Sequence, residues 1–221
     1  MTAFSLEAFY ERYPTQTKDL GIGGQPFKFL VPKSIDSFID QKDLLTDFPL
    51  WSKIWEASMI LADHLAAMPP DPQKRILEIG GGVGLVGIVA ACFGHRVTIM
   101  EHNPDAVRFA RANAEVNRCS NGEGPLVTQV DWRQPALKRA FDYIVGSEVI
   151  YNEKDYTPLH RLFTTCLVPG GTVILAERAR KTSIAFFQQM SSVFEITARK
   201  KVLRLEGEEV RVILAAMIPR A

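Results

Sequence analysis

Residues 75–87 read Arg75-Ile76-Leu77-Glu78-Ile79-Gly80-Gly81-Gly82-Val83-Gly84-Leu85-Val86-Gly87. A short apolar run carrying one carboxylate enters a glycine cluster and leaves it in a second apolar run. That is the pattern of a buried strand, a tight turn and a helix. Glycines at such a turn let the backbone approach a ligand closely, at the crevice beyond the strand's carboxyl end. Glu101 ends the next predicted strand, 21 residues after Gly80, where a carboxylate can accept the hydroxyl hydrogens of a ribose.

Working outward, Asp47 is a candidate N-cap for a helix over 49–68. Trp51, Ile54, Trp55, Met59, Ala62 and Leu65 recur there at three- and four-residue steps, and Pro69-Pro70 end the pattern. After the glycine turn a helix reaches Phe93 and closes at Gly94. A strand over 96–100 follows, then a helix opened by Asn103 and Pro104 that runs to about Arg118. A polar loop spans 119–125. Strands are predicted over 126–130, 141–145 and 172–176, with helices over 154–167 and 183–192. Two long alternating strands, 195–205 and 208–218, are joined by a turn at Glu206-Gly207. Upstream, a helix over 5–13 ends at Pro14, glycines 21, 23 and 24 mark turns, and 27–31 and 34–39 read as short strands.

Each parallel connection needs a crossover, so this alternation implies an α/β fold. We expect a doubly wound, seven-stranded, mostly parallel Rossmann-like sheet. It ends in a C-terminal antiparallel hairpin and is preceded by a short N-terminal extension. The expected division is an extension over 1–48 and the α/β domain over 49–221.

The 221 residues hold 26 Lys and Arg against 25 Asp and Glu, so no global field draws the chain to nucleic acid or an anionic membrane surface. The N-terminus lacks the cationic start and apolar core of a signal peptide. No stretch approaches the ~18–20 apolar residues of a membrane span. Cys92, Cys119 and Cys166 are odd in number and far apart, which argues against a disulfide framework and a zinc site. A reduced, cytoplasmic, monomeric protein without a metal is expected. The cluster Arg178, Arg180 and Lys181, with Arg199, Lys200 and Lys201, reads as a solvated face or a dock for an acidic partner.

Gly82-x-Gly84-x-x-Gly87 also satisfies the dinucleotide fingerprint, which keeps an NAD(P)-dependent oxidoreductase in view. Three features weigh against it. Glu78, inside the strand, suits a cationic amino-acid moiety better than a pyrophosphate. The chain after 172–176 is too short for a separate substrate domain. Asp131-Trp132 ends the third strand of the alternation, where an acid can accept from an adenine amino group while the indole packs on the ring.

The E-x-G-x-G-x-G form (Glu78, Gly80, Gly82, Gly84), the acid at Glu101 and the closing hairpin resemble the class I, seven-β-strand S-adenosylmethionine-dependent methyltransferases. More narrowly, Trp55-Glu-Ala-Ser-Met-Ile-Leu-Ala62 and Glu148-Val-Ile-Tyr151 resemble its protein-lysine methyltransferase branch. That branch carries a tryptophan helix before the glycine loop and a D/E-x-x-Y motif after the fourth strand. The resemblance implies S-adenosylmethionine as cofactor and a protein as substrate. It implies that Trp55 borders the methionine end of the cofactor and that Gly80, Gly82 and Gly84 line its amino-acid and ribose portion. Glu101 would hold the ribose, Asp131 and Trp132 would flank the adenine, and Ser147 would touch the cofactor from the fourth strand. Glu148 and Tyr151 would face the substrate. The implied activity is methylation of a lysine side chain. A small-molecule amine as acceptor and a non-catalytic binding module are the alternatives, and the absence of an N-P-P-Y type motif near the fourth strand disfavours nucleic acid.

Overall fold

The computed structural model describes residues 4–39, 48–119, 122, 124–134, 140–205 and 208–220. In chain order these form α1 (Leu6–Arg12), β1 (Thr15–Ile22), β2 (Gln25–Pro32), α2 (Glu56–Ala66), β3 (Arg75–Ile79), α3 (Leu85–Cys92), β4 (Arg96–Glu101) and α4 (Pro104–Val116). There follow β5 (Leu126–Gln129), β6 (Phe141–Ser147), α5 (Tyr156–Cys166), β7 (Leu167–Arg178), α6 (Lys181–Met190), β8 (Phe194–Leu205) and β9 (Glu208–Pro219).

Seven strands make one sheet in the order β5-β4-β3-β6-β7-β9-β8. The strands from β5 to β7 pair in parallel, while β9 runs antiparallel to both β7 and β8. The expected architecture is therefore present. Successive strand residues point to opposite faces, and both faces are covered. Ile76, Ile99, Val145 and Ile174 pack under α2, α3 and α4 through Leu61, Val86, Val89 and Val107. Leu77, Met100, Ile144 and Val173 pack under α5 and α6 through Leu159, Phe163 and Phe186. The strand order reverses between β3 and β6, and a crevice opens at their carboxyl ends.

Four sequence expectations are corrected. The N-terminal segment is a β1–β2 hairpin with eight paired rungs, turning at Gly23 (φ 57°) and Gly24 (φ 78°). Both turn residues need a positive φ, which suits the two-residue hairpin turn. Within 34–39 there is a 3-10 turn over Asp36–Phe38 in place of a strand. The helix predicted over 49–68 is two elements, a 3-10 turn over Leu50–Ser52 and α2, because Lys53 and Trp55 adopt extended backbone. Trp55 is thus the N-cap position of α2 rather than part of its apolar face. Asp47 and the Glu206-Gly207 turn lie outside the described residues.

The fourth correction concerns the cysteines. Cys92, at the end of α3, and Cys119, just beyond α4, form a disulfide with their Cα atoms 4.6 Å apart. Separation along the chain hid this, because α3 and α4 lie side by side on the same sheet face. The hairpin is tied to this layer by Asn113 of α4, which is fully buried. Its Oδ1 accepts from Leu30 N–H at 2.6 Å, and its Nδ2 donates to Leu30 O and Val83 O at 3.0 and 2.9 Å.

Candidate active site

A cavity of about 410 Å³ opens at the carboxyl ends of β3, β4 and β6. Of the residues singled out in the sequence, Trp55, Glu78, Gly80, Gly82, Glu101, Trp132, Ser147, Glu148 and Tyr151 line it. Two do not. Gly84 (φ 86°) is the N-cap of α3, and a Cβ there would come within 3.1 Å of Ala110 Cβ, so its smallness serves the α3–α4 contact. Asp131 turns its Oδ1 to Arg133 N–H at 2.9 Å, closing the turn that presents Trp132 to the cavity.

Glu78 is 2% exposed, and its Oε2 accepts from Gly87 N–H at 2.8 Å. A Cβ on Gly87 would lie 2.5 Å from that oxygen and from Ile99, so Gly87 is required by helix–sheet packing. Burial pushes the Glu78 carboxyl up to about 8, opposed by the Gly87 N–H and reinforced by the charge of Glu101. A cationic group entering the cavity would restore its ionised form.

Glu101 is built as an anion. Its Oε2 accepts from Gly82 N–H at 2.9 Å, and its Oε1 accepts from His102 N–H at 2.7 Å and Asn103 N–H at 2.8 Å. Burial alone would raise its pKa. The His102 ring and these N–H donors outweigh it and hold the carboxyl below its usual range, while the same contact raises His102. A carboxylate offers about four acceptor sites. Three are filled by backbone N–H groups, two of them on Oε1, so Oε2, whose one such donor is Gly82 of the glycine loop, keeps a site for a ribose hydroxyl.

The opposite rim is made where β6 and β7 end. Glu148 is 3% exposed and has φ 51°, the one described non-glycine residue in the left-handed region. Its N–H donates to Ala176 O at 3.0 Å, its Oε1 accepts from Arg178 N–H at 2.6 Å, and its Oε2 pairs with the Arg180 guanidinium. The Tyr151 side chain reaches the cavity mouth, with the Arg180 guanidinium 5.9 Å from its ring centre. Arg178 pairs with Glu56 at 2.7 Å and lies 5.5 Å from the ring of Trp55, whose Nε1 donates to Leu50 O. Arg178 and Arg180, read from sequence as a solvated or docking face, thus brace this rim.

The sequence reading missed Trp51, Lys53 and Asp155 as lining residues, and it set Trp51 aside as core. Gly82 has φ 53°, and a Cβ there would lie 3.3 Å from Trp51 O. The W-x-x-x-W spacing carried that signal once the glycine turn was placed opposite it. The donor set fits S-adenosylmethionine: a buried carboxylate for an ammonium group, a glycine cradle, an anion at the end of β4 and an indole beside it. Among the described residues no group of three or more His, Cys, Asp or Glu is placed to hold a metal ion. Nor is any helix among them long and apolar enough to cross a membrane.

Residues 46–193, about two thirds of the chain, match a family model described as lysine methyltransferase. The chain belongs to the lysine methyltransferase family. Family relatives include protein N-lysine methyltransferase METTL21A of Danio rerio, 32% identical over 127 residues, 55% of this chain and 57% of that protein. EEF1A lysine methyltransferase 3 of Xenopus tropicalis is 25% identical over 164 residues, 72% and 71% of the two chains. The match thus spans little more than half the length of the zebrafish relative. Among solved structures, TYW2 of M. jannaschii in complex with AdoMet superposes with a TM-score of 0.60 at 15% identity. It covers 95% of this chain and 88% of that one. At that identity the likeness speaks for the Rossmann-like fold the family shares.

Proposed function

We propose that this chain is an S-adenosylmethionine-dependent N-methyltransferase that methylates a lysine side chain of a protein substrate. One observation carries the reading. A single cavity has a cofactor-type wall (Glu78, the glycine loop, Glu101, Trp132) and, at its mouth, Glu148 and Tyr151. Family membership and relatives named for protein-lysine methylation support it.

When bound, S-adenosylmethionine supplies an electrophilic methyl group for in-line displacement, and the protein supplies position and electrostatics. Glu78 takes the amino-acid ammonium, Glu101 and Gly82 hold the ribose end, and Trp132 packs at the adenine end. Trp55 and Ser147 border the segment between them. Asp131 and Gly84 act through the turn of Trp132 and the seating of α3. A lysine amine is protonated near neutral pH, with an ordinary pKa of ~10.4, and must lose its proton before attack. Glu148 orients the incoming amine through a hydrogen bond. Because a carboxylate also stabilises the ammonium, it is a positioner rather than a strong base. Tyr151 walls the channel and directs the nitrogen lone pair.

Glu148→Ala tests this assignment. Methyl transfer is expected to fall by roughly 100-fold or more, while cofactor affinity stays within a few-fold of wild type. Equal loss of both would move Glu148 to the cofactor pocket.

A further inference from the structure

Glu177, at the end of β7, has no part in the mechanism above, yet it is fully buried directly behind the rim that mechanism uses. Its Oε1 accepts from Val149 N–H at 2.8 Å, and the Ile150 N–H beside it also favours the charged carboxyl. Its Oε2 has no hydrogen-bond partner among the described residues. The neighbouring acid does the reverse. Glu148 reaches from the end of β6 to accept from Arg178 N–H, and its own N–H donates to Ala176 O. Two acids on adjacent parallel strands therefore cross over, each capping the backbone that follows the other.

This crossover has a conformational consequence. Glu148 holds φ 51°, a backbone state disfavoured for a residue with a Cβ, and such states persist only where the surroundings over-determine them. The N–H groups of Val149 and Ile150 follow directly, and Glu177 is the side chain that fixes them. They are also the two residues between Glu148 and Tyr151. We propose that Glu177 is a positioning residue of the methyl-transfer site. By holding the 149–150 backbone it sets the left-handed start of the Glu148–Tyr151 turn, and with it the place of the acceptor amine. The inference rests on the proposed function for its catalytic part and on geometry alone for its conformational part.

The chemistry of Glu177 selects the probes. Burial, opposed by the two N–H donors and reinforced by Asp155, pushes its carboxyl up to about 8, so at neutral pH it is a neutral acid accepting through one oxygen. Glu177→Gln keeps that acceptor and that charge. Glu177→Leu keeps the bulk and removes the acceptor, and Glu177→Asp retracts it by one methylene.

Two readouts are taken on the full chain. The first is amide hydrogen exchange across 148–151, which needs no substrate. Loss of one or two buried acceptors is expected to speed exchange in the Leu and Asp variants by about 10- to 100-fold and to leave the Gln variant near wild type. The second is the maximal rate of label transfer from methyl-labelled S-adenosylmethionine to protein in an extract of the source cells. It is expected to fall about 10- to 100-fold in Leu and Asp and to be retained within about twofold in Gln. Cofactor affinity should change little in all three. If Leu does not fold, the Asp–Gln contrast carries both readouts. Unchanged exchange in Leu or Asp, or equal loss in Gln, overturns the proposal. A wild-type chain that labels no protein instead overturns the proposed function, and the exchange measurement still decides the role of Glu177 in the turn.

Discussion

Replacing Glu78 by Gln is expected to stabilise the cofactor-free protein while weakening its hold on the cofactor. The carboxyl is 2% exposed, with its pKa raised from 4.5 to about 8. Between those two values the folded chain binds a proton that the unfolded chain has released. For an acid shifted upward, stability therefore falls as pH climbs from about 4.5 to about 8. The full interval corresponds to about 5 kcal/mol above pH 8, and to about 3 kcal/mol at pH 7. Glutamine carries no such dependence, and its carbonyl oxygen can still accept from Gly87 N–H. Its extra amide donor, if left unpaired, costs about 1 kcal/mol. The net expectation is a variant about 2 kcal/mol more stable than wild type at pH 7, with the gap widening toward pH 8.5 and vanishing near pH 5. Urea denaturation of both cofactor-free proteins at the three pH values measures it directly. Calorimetry should also find weaker S-adenosylmethionine binding to the variant. With wild type, the ligand's ammonium should draw off close to one proton per site at pH 7, read from the buffer dependence of the binding enthalpy. A stability gap that does not change between pH 5 and 8.5 would refute the reasoning, because Glu78 would then not be held protonated.

Other perturbations follow from the same geometry. Asn113→Ala strips partners from Leu30 N–H, Leu30 O and Val83 O in a fully buried setting. It should cost about 3 kcal/mol and lower Tm by roughly 6–12 °C in calorimetry; a change under about 1 °C would contradict the tether. Glu101→Ala removes the acceptor of three backbone N–H groups, that of Gly82 in the glycine loop and those of His102 and Asn103 after β4. Cofactor Kd should rise about 100-fold in a binding titration, and a rise below about threefold would take Glu101 out of the site. The Cys92–Cys119 link closes a loop of 27 residues' separation. Reducing it or substituting Cys119→Ser should lower stability by up to about 3.5 kcal/mol. Peptide mapping without reductant should recover the linked pair, and finding both thiols alkylated would deny the bond.

The sheet was legible because its strands advertise themselves locally. Residues 75–79, 96–101 and 141–147 are apolar runs ended by acids or glycine, and Asn103-Pro104 carries a helix start that the structure reproduces, with Asn103 Oδ1 accepting from Asp105 and Ala106 N–H. Strand β1 was not legible. Its sequence, Thr15-Gln-Thr-Lys-Asp-Leu-Gly-Ile22, is mostly exposed, so neither face shows an apolar alternation, and its pairing with β2 is set by the Gly23-Gly24 turn. The start of α2 misled because Trp51, Ile54 and Trp55 keep helical spacing across residues whose backbone is extended. At the site, the residue types that face the cavity could be read from the ends of strands. Glu177 could not, since its partners are backbone N–H groups of another strand's exit and no side-chain pattern records them. Glu101 was read from its strand end, but its backbone partners, the N–H groups of Gly82, His102 and Asn103, leave no side-chain pattern either.

The central claim is that the cavity joins a cofactor to a protein lysine. It is tested by incubating the purified chain with methyl-labelled S-adenosylmethionine and an extract of its source cells. Large and small products are then separated, and the labelled residue is mapped by mass spectrometry. The account predicts label on a lysine of one or a few proteins, lost with Glu148→Ala. Label confined to small molecules, or lying on a protein residue other than lysine, would contradict it.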